Sequence, residues 1–467
     1  VIAVEPNKAL LKLLTNDFAY EVGGIYSKPE VQIKNISSRT FLLAPHPKFD
    51  LITLPVISSF GGTSGLFALQ EEYLLTKESF GEMWSALKDD GVISINTWID
   101  YPYRNPLKII STLAEVIDEQ GIQDITKHIS AIKNWNTISI IVKRSQITFE
   151  ESEKIRTFCK EMNFDPVILP GLIQEERERF NKLQDDSFYR MIDKILSSKD
   201  ERESVYSNYS FNIKPATDNQ PYYSQFLQLK SIPILAELFG GNAVPFFEVG
   251  YILLYITFLQ IIFISFVLII IPLFKFGWKG ENRSWTFLYF CGLGIGYMFI
   301  EIVLIQKFTL YFGNVLYSAA AVVSLMLISS GFGSWFSQNL YAKPSRIVGV
   351  TALIILSLII YLIFLSSLLI TTIAFTLTTK IIFTTFLIAP PAFIMGMPFP
   401  LGLRLLSERN ESGDAGQVPW AWGINGLFSV ISVVLATIIA IELGFIWVMI
   451  LAATAYGLSL SVNLNRS

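Results

Sequence analysis

Residues Cys291 to Gly313 read CGLGIGYMFIEIVLIQKFTLYFG, an apolar run with glycines at 292 and 296 and one acid, Glu301, near its middle. An ionisable side chain in hydrocarbon costs roughly 2.5 to 3.5 kcal/mol on insertion scales, so it turns toward a protein interior or a polar cavity rather than lipid. The Gly292-x-x-x-Gly296 pair offers a smooth face for close helix packing, and Gln306-Lys307 marks the return to the interface. Helical spacing puts Glu301 on the face of Tyr297, Gly294 and Leu304, so a packing face carries the charge and its partner must come from another span. Asn425, in WGINGLF, and Arg404, after the fifth apolar run, are the partners on offer, which makes Glu301, Arg404 and Asn425 a candidate intramembrane polar site. The plainer alternative is a carboxylate that snorkels to water or pairs with Lys307.

Outward from that stretch the whole second half is apolar. The chain is 52% hydrophobic and only 16% charged, with mean hydropathy +0.47, a balance that ordinary globular proteins do not have. Most of the charge lies before Lys230, and the remainder is rich in Leu, Ile and Phe, so two parts are expected: a polar α/β part and a membrane domain over 247–467. At about 20 apolar residues per crossing, seven spans are predicted: Tyr251–Phe274, Trp285–Ile305, Val315–Phe336, Ile347–Leu369, Ile381–Leu401, Ile424–Leu443 and Ile446–Val462. The third carries Ser329-Ser330-Gly331-Phe332-Gly333-Ser334, small residues suited to tight packing. Pro390-Pro391, Gly396, Pro398 and Pro400 interrupt the fifth. Prolines free carbonyls that a neighbour or a water-filled cavity has to satisfy, so this span is either a broken helix at a site or a kinked packing helix.

The polar half begins VIAVEPN, a run of β-formers ending in an acid. A doubly wound α/β domain places the carboxylate that accepts the ribose hydroxyls of a nucleoside at such a strand end; a solvated strand end is the alternative for Glu5. That strand is normally the second, so the first strand and its Gly-rich turn are expected to have been cut away. Strands follow at Val31–Ile36, Lys48–Leu54 and Val92–Trp98, the last after an amphipathic helix stopped by Asp89-Asp90-Gly91. Alternation with helices predicts a parallel sheet, and ISAIKNWNTISIIVKR an antiparallel hairpin at its edge. The α/β domain is expected over 1–145. An α/β extension and linker over 146–246 opens with the capping box Thr148-x-x-Glu151 and has a possible short strand in FDPVILPG. It closes with KPATDNQPYYSQF, where Asp218 either covers a ligand or caps its own backbone in a linker.

These residues carry a resemblance. VIAVEPN, SSRTFL, FDLITLP, EEYLLTKESF and DDGVISINTW resemble the spermidine synthase branch of the class I methyltransferase fold. GYMFIEIVLIQKFTLYFG, IMGMPFPLGLRLL and VPWAWGINGLFSV resemble bacterial multi-pass proteins in which such a domain is fused to membrane helices. The resemblance implies a Rossmann-like domain and a nucleoside-sulfonium donor, S-adenosylmethionine or its decarboxylated form, with Glu5 on the ribose and Ser37 at the adenine. It also implies a small-molecule amine acceptor and a bacterial inner membrane. Its acids are altered: Pro55 and Ser58 stand where the family has the aspartates that deprotonate the amine, and Ser37 where it has an acid. Neither Pro55 nor Ser58 can serve as a base, and Glu72 and Glu78, six apart on a helix, would not share a face. The catalytic base stays unassigned.

Composition narrows the remaining classes. A net charge of −3 provides no basic field for nucleic acid. Two cysteines and two histidines, far apart in sequence, leave little for a disulfide framework or a metal cluster. Loop charges set Lys275, Lys279, Arg283, Lys343, Arg346, Arg404, Arg409 and Arg466 on the face opposite the α/β domain, against Lys307 and Lys380 on the near face, so the positive-inside rule would make the opposite face cytoplasmic. A cytosolic donor argues the reverse, and the α/β domain is expected in the cytoplasm. Two functions follow: a transferase of aminopropyl or methyl type at the membrane face, or a transporter or sensor whose α/β domain binds a ligand without catalysis.

Overall fold

In the computed structural model of the chain, residues 1–57, 68–228, 231–233, 237, 240, 248–276, 283–409, 417–458 and 460 are described. They fall into two compact units: Pro45–Leu253, and a second that joins Val1–Ala44 to Leu254–Ser467.

The first unit is built on a five-stranded mixed sheet. Strands β3 (Phe49–Ile57), β4 (Leu87–Trp98), β5 (Ile129–Lys133), β6 (Thr137–Lys143) and β7 (Asp165–Ile168) lie in the order β3-β4-β6-β5-β7. Only β3 and β4 are parallel; β6 runs antiparallel to β4, and β5 to both β6 and β7. The expectation of a parallel sheet holds for one pair, because the Ile129–Lys143 hairpin docks directly on β4. The hairpin is also inside the sheet rather than at its edge, which β7 occupies. Period-2 burial gives the sheet its core face: Ile93 and Ile95 from β4 and Ile138, Ile140 and Val142 from β6 are buried.

Helix α3 (Lys77–Ala86) ends earlier than Asp89-Asp90-Gly91 suggested, and those residues form a bulge within β4, between the pairs Phe49–Leu87 and Leu51–Val92. Gly91 is required there because a Cβ would stand 2.7 Å from the Phe49 carbonyl oxygen. Pro55 falls in a second irregularity, between Leu54 and Ile57 on the edge strand β3, where a missing N–H breaks no ladder. Helix α4 (Asn105–Glu119) buries Leu107, Ile109, Ile110, Leu113, Val116 and Ile117 as the central helix of the unit. Helix α6 (Ser187–Ser197) packs on it and on α7 (Lys199–Asn208), while α5 (Phe149–Met162), opened by the expected Thr148–Glu151 capping box, packs on β7.

The second unit contains the membrane helices and, against expectation, the first forty-four residues. Strands β1 (Ile2–Val4) and β2 (Gln32–Lys34) pair in parallel in a two-stranded sheet of their own, with α1 (Lys8–Lys12) between them and α2 (Ser38–Leu43) after. Among the described residues, six helices are long and apolar enough to cross a membrane, as in an integral multi-pass membrane protein. We label the described helices α8 (Val249–Ser265, in a span running to Leu273), α9 (Arg283–Phe312), α10 (Val315–Phe336), α11 (Pro344–Thr371), α12 (Leu377–Met395), α13 (Pro398–Arg409) and α14 (Gln417–Leu443). The seventh expected span corresponds to a shorter apolar helix, α15 (Phe445–Leu458), of 14 residues.

Helix α9 is the centre of this unit: 61% of its apolar window is buried, against 11% to 39% for the other spans. Its glycines explain why. A Cβ at Gly292 would collide with the Ala455 carbonyl of α15, one at Gly294 would lie 2.7 Å from the Asn425 carbonyl oxygen of α14, and one at Gly296 would lie 2.6 Å from the Tyr456 ring. Sharp turns join the helices. Gly313 (φ +67°) ends α9 in the left-handed conformation, and the side chain of Asn314 accepts from the N–H groups of Leu316 and Tyr317 to start α10.

The small residues of α10 differ in role. A Cβ at Gly333 would collide with the Phe393 backbone, whereas one at Gly331 meets nothing within 4 Å. Alanine gains about 1 kcal/mol of helix propensity over glycine, and overpacking costs roughly 1 to 3 kcal/mol or more. Gly333→Ala is therefore expected to lower the thermal unfolding midpoint of the purified protein, and Gly331→Ala to leave it unchanged or raise it.

Candidate functional site

The interruption of the fifth span is a true break. Helix α12 stops at Met395, Gly396 and Met397 form a turn in which Gly396 keeps helical backbone angles, and α13 restarts at Pro398. Two carbonyls near the interruption are bonded from neighbouring helices, one of them a carbonyl that a proline frees. Pro391 has no N–H for the Leu387 carbonyl four residues earlier, and the Tyr361 hydroxyl of α11 donates to it instead. At the break, the Tyr289 hydroxyl of α9 donates to the Pro398 carbonyl at 2.6 Å.

Beside this break lies a cavity of about 410 Å³, walled by α9, α10, α12, α13, α14 and α15. Its polar side chains are those of Tyr297, Ser330, Ser334, Asn425, Ser429 and Tyr456, and its lining includes no Asp, Glu, Lys, Arg or His. The Tyr297 and Ser330 hydroxyls face each other at 3.4 Å.

Of the three residues assigned to an intramembrane polar site, only Asn425 lines this cavity. Its amide donates to the Phe290 carbonyl at 3.3 Å, and its own backbone oxygen sits against Gly294, seven residues or about 10 Å before Glu301. Arg404 bonds the carbonyls of Ser337, Gln338 (3.4 Å) and Leu340 (3.1 Å) at the end of α10. Helices α9 and α10 are antiparallel, held by the contacts Ile305–Ser318 and Tyr297–Ser330, so Glu301 is level with the middle of α10 and about 20 Å from Ser337. The structure does not bring Glu301 and Arg404 together. Glu301 is half-buried and makes no hydrogen bond or ion pair among the described residues.

Glu5 and Ser37 follow the carboxyl ends of two adjacent parallel strands, the edge at which α/β sheets bind ligands. Both side chains already have local partners. The Glu5 carboxylate accepts the Asn7 N–H at 2.8 Å, and the Ser37 hydroxyl caps α2 through the Thr40 N–H at 3.1 Å. Ser37 and Thr40 also pack on Gly313 at the end of α9, where an added Cβ would approach the Ser37 hydroxyl to 3.2 Å. Pro55 is exposed on β3, and Ser58 lies outside the described residues.

The Pro45–Leu253 unit contains a buried charge cluster that the sequence did not single out. Lys108, one turn into α4, donates to the Tyr223 and Gln225 carbonyls at 2.7 and 3.2 Å and sits over the rings of Tyr223 and Phe226. Glu248, the residue before the first span, accepts the N–H groups of Phe226 and Leu227 at 2.7 and 3.0 Å. Glu72 accepts from Ser224 at 2.8 Å, and Thr76 donates to Asp218 at 2.7 Å while Glu78 accepts the Asp218 N–H at 2.9 Å. The Lys214–Phe226 strap is thereby fastened at many points, and Asp218 is held by Thr76. Burial pushes Glu248 up to about 7 and Lys108 down to about 7; Glu72 is also raised by burial. Burial likewise pushes the Cys159 thiol up to about 11, so it is no nucleophile. Among the described residues no three His, Cys, Asp or Glu side chains are grouped to hold a metal. The signals for the cluster were faint: a lysine within the apolar run of α4, and an acid directly before a span.

No protein-family model and no curated protein matches the chain. The likeness to spermidine synthase-like membrane proteins rests on the quoted motifs alone.

Two measurements follow. Between about pH 4.5 and 7 the folded protein keeps the Glu248 proton that the unfolded chain releases, so this residue lowers stability as pH rises through that window. Lys108 acts oppositely, lowering stability as pH falls from about 10.5 to 7. Glu248→Gln removes the acid limb alone: its unfolding free energy should match wild type near about pH 5 and exceed it at about pH 8, by at most of order 3 kcal/mol. Arg404→Gln loses charged hydrogen bonds and should cost about 1.5 to 3 kcal/mol. A double-mutant cycle with Glu301→Gln should give a coupling below about 0.5 kcal/mol; a larger value would put the two side chains in contact.

Proposed function

We propose that this protein holds a small ligand inside its membrane unit without transforming it, as a transporter or a sensor. The observation that carries this is the cavity of about 410 Å³ at the break between α12 and α13. Small-molecule sites commonly measure about 300 to 1,000 Å³. Non-helical backbone at membrane depth is tolerated where protein buries it or where it lines a cavity, and discontinuous helices recur at transporter binding sites. The wall carries hydroxyls and an amide, groups that orient a ligand, and its lining includes no carboxylate, lysine or histidine.

One observation favours a second reading, a transferase with an S-adenosylmethionine-type donor: Glu5 and Ser37 follow neighbouring parallel strands. In that reading the donor side faces the cytosol, across a bacterial inner membrane, and the acceptor is an amine or a lipid-soluble molecule. The local bonds already made by both side chains, and the absence of a base at Pro55, make it the lesser proposal.

Thermal shifts of the full chain in nanodiscs separate the two. Against a panel of neutral hydroxyl- and amide-bearing solutes, together with S-adenosylmethionine, at least one neutral solute should raise the wild-type midpoint. Asn425→Leu and Ser429→Ala should weaken that solute at least about tenfold, a loss near 1.4 kcal/mol, while Glu5→Gln leaves it unchanged. A silent neutral panel with a shift by S-adenosylmethionine that Glu5→Gln abolishes would overturn the ligand-binding reading in favour of the transferase.

A further inference from the structure

Two of the residues that line the cavity are exposed. Leu327 is 59% exposed and Gly331 is exposed, and both stand near the middle of the span Val315–Asn339. In a bilayer, that depth is occupied by acyl chains. A ligand charge would find no counter-charge in the lining, at a depth where unpaired charge is strongly disfavoured.

One backbone acceptor beside the cavity is unused. Pro400 has no N–H to offer the Gly396 carbonyl, and among the described residues no hydrogen bond reaches that carbonyl. A bare acceptor at membrane depth is costly, and a hydroxyl donor on a ligand would satisfy it. Tyr297 and Ser330 can bond the same polar end, while Leu293, Met298 and Phe399 present apolar surface to a hydrocarbon body.

We propose that the cavity takes an uncharged, hydroxyl-bearing lipid of the diacylglycerol kind directly from the bilayer, through the opening at Leu327 and Gly331. The proposal rests on the ligand-binding reading and adds to it the ligand class and the route. Gly331 is the lever, because a Cβ placed there meets nothing within 4 Å, so a side chain can start from this position into the opening without a backbone clash.

The test uses the full chain in nanodiscs doped with a diazirine-bearing diacylglycerol, with crosslinked peptides mapped by mass spectrometry. A diazirine-bearing phosphatidylcholine serves as control. The diacylglycerol should label peptides containing Tyr297, Ser330 or Ser429 at least fivefold more than the control, and Gly331→Trp should reduce that labelling at least fivefold at an unchanged unfolding midpoint. Equal labelling by both probes would mean that the opening holds bulk lipid and would overturn the proposal. Strong labelling that survives Gly331→Trp would overturn the route. If neither probe labels the cavity while a water-soluble neutral solute still raises the midpoint, the lipid proposal falls and the ligand-binding reading stands; if no solute acts either, both fall.

Discussion

Helix Arg283–Phe312 approaches its neighbours so closely at Gly292, Gly294 and Gly296 that a side chain at any of the three would displace a backbone or a ring. Lipid tails are as apolar as leucine, so helices in a bilayer gain nothing from leaving lipid for one another, and close van der Waals packing has to supply the association. Here the packing also sets position. Contact at Gly294 fixes Asn425 and Ser429, and contact at Gly296 fixes Tyr456; all three line the cavity beside the broken helix. The cavity is what remains when α9, α14 and α15 are packed tightly and the chain from Met395 to Pro398 cannot stay helical.

The buried cations share a role in both units. Lys108 bonds the carbonyls of Tyr223 and Gln225, Lys380 that of Tyr311 at the end of α9, and Arg404 those of Ser337, Gln338 and Leu340 at the end of α10. Tyr311 lies in the last turn of α9 and Ser337 to Leu340 just beyond α10, where a helix leaves carbonyls without intrahelical partners and a cation also complements the helix dipole; the carbonyls that Lys108 bonds belong to a non-helical strap. The positive charges that suggested acid–base pairing across the bundle are therefore spent on the main chain, which is why Glu301 acquires no ion-pair partner from Arg404.

Much of this was legible in the sequence because it depends on local chemistry. The Gly292-x-x-x-Gly296 face, the capping box at Thr148, the Asp165–Ile168 strand and the interruption of the fifth span each follow from a few adjacent residues. What escaped depends on distant partners. Ile2–Val4 and Gln32–Lys34 have the composition of strands, but nothing local states that they pair with each other outside the larger sheet. Asp89-Asp90-Gly91 looks like a helix stop, and only the register of β3 against β4 makes it a bulge. Of the candidate polar site, Asn425 lines a cavity that Glu301 does not reach and Arg404 bonds main-chain carbonyls at another level, since helical phase gives the face of a residue but not the level of its neighbour. The Lys108–Glu248 cluster joins residues 140 positions apart, beyond the reach of any pattern in either segment.

The Tyr361 hydroxyl bears on how the protein is made. Helix α12 carries a carbonyl, that of Leu387, that its own Pro391 cannot satisfy, and the donor belongs to the preceding helix. Leaving the translocation machinery alone, α12 would expose that oxygen to hydrocarbon; leaving together with α11, it would not. The connection between them runs only from Thr372 to Thr376, so the two are a natural helical hairpin, and the cheapest order of assembly retains α11 beside the exit site until α12 arrives. A single phenol thus ties the biogenesis of the fifth span to that of the fourth.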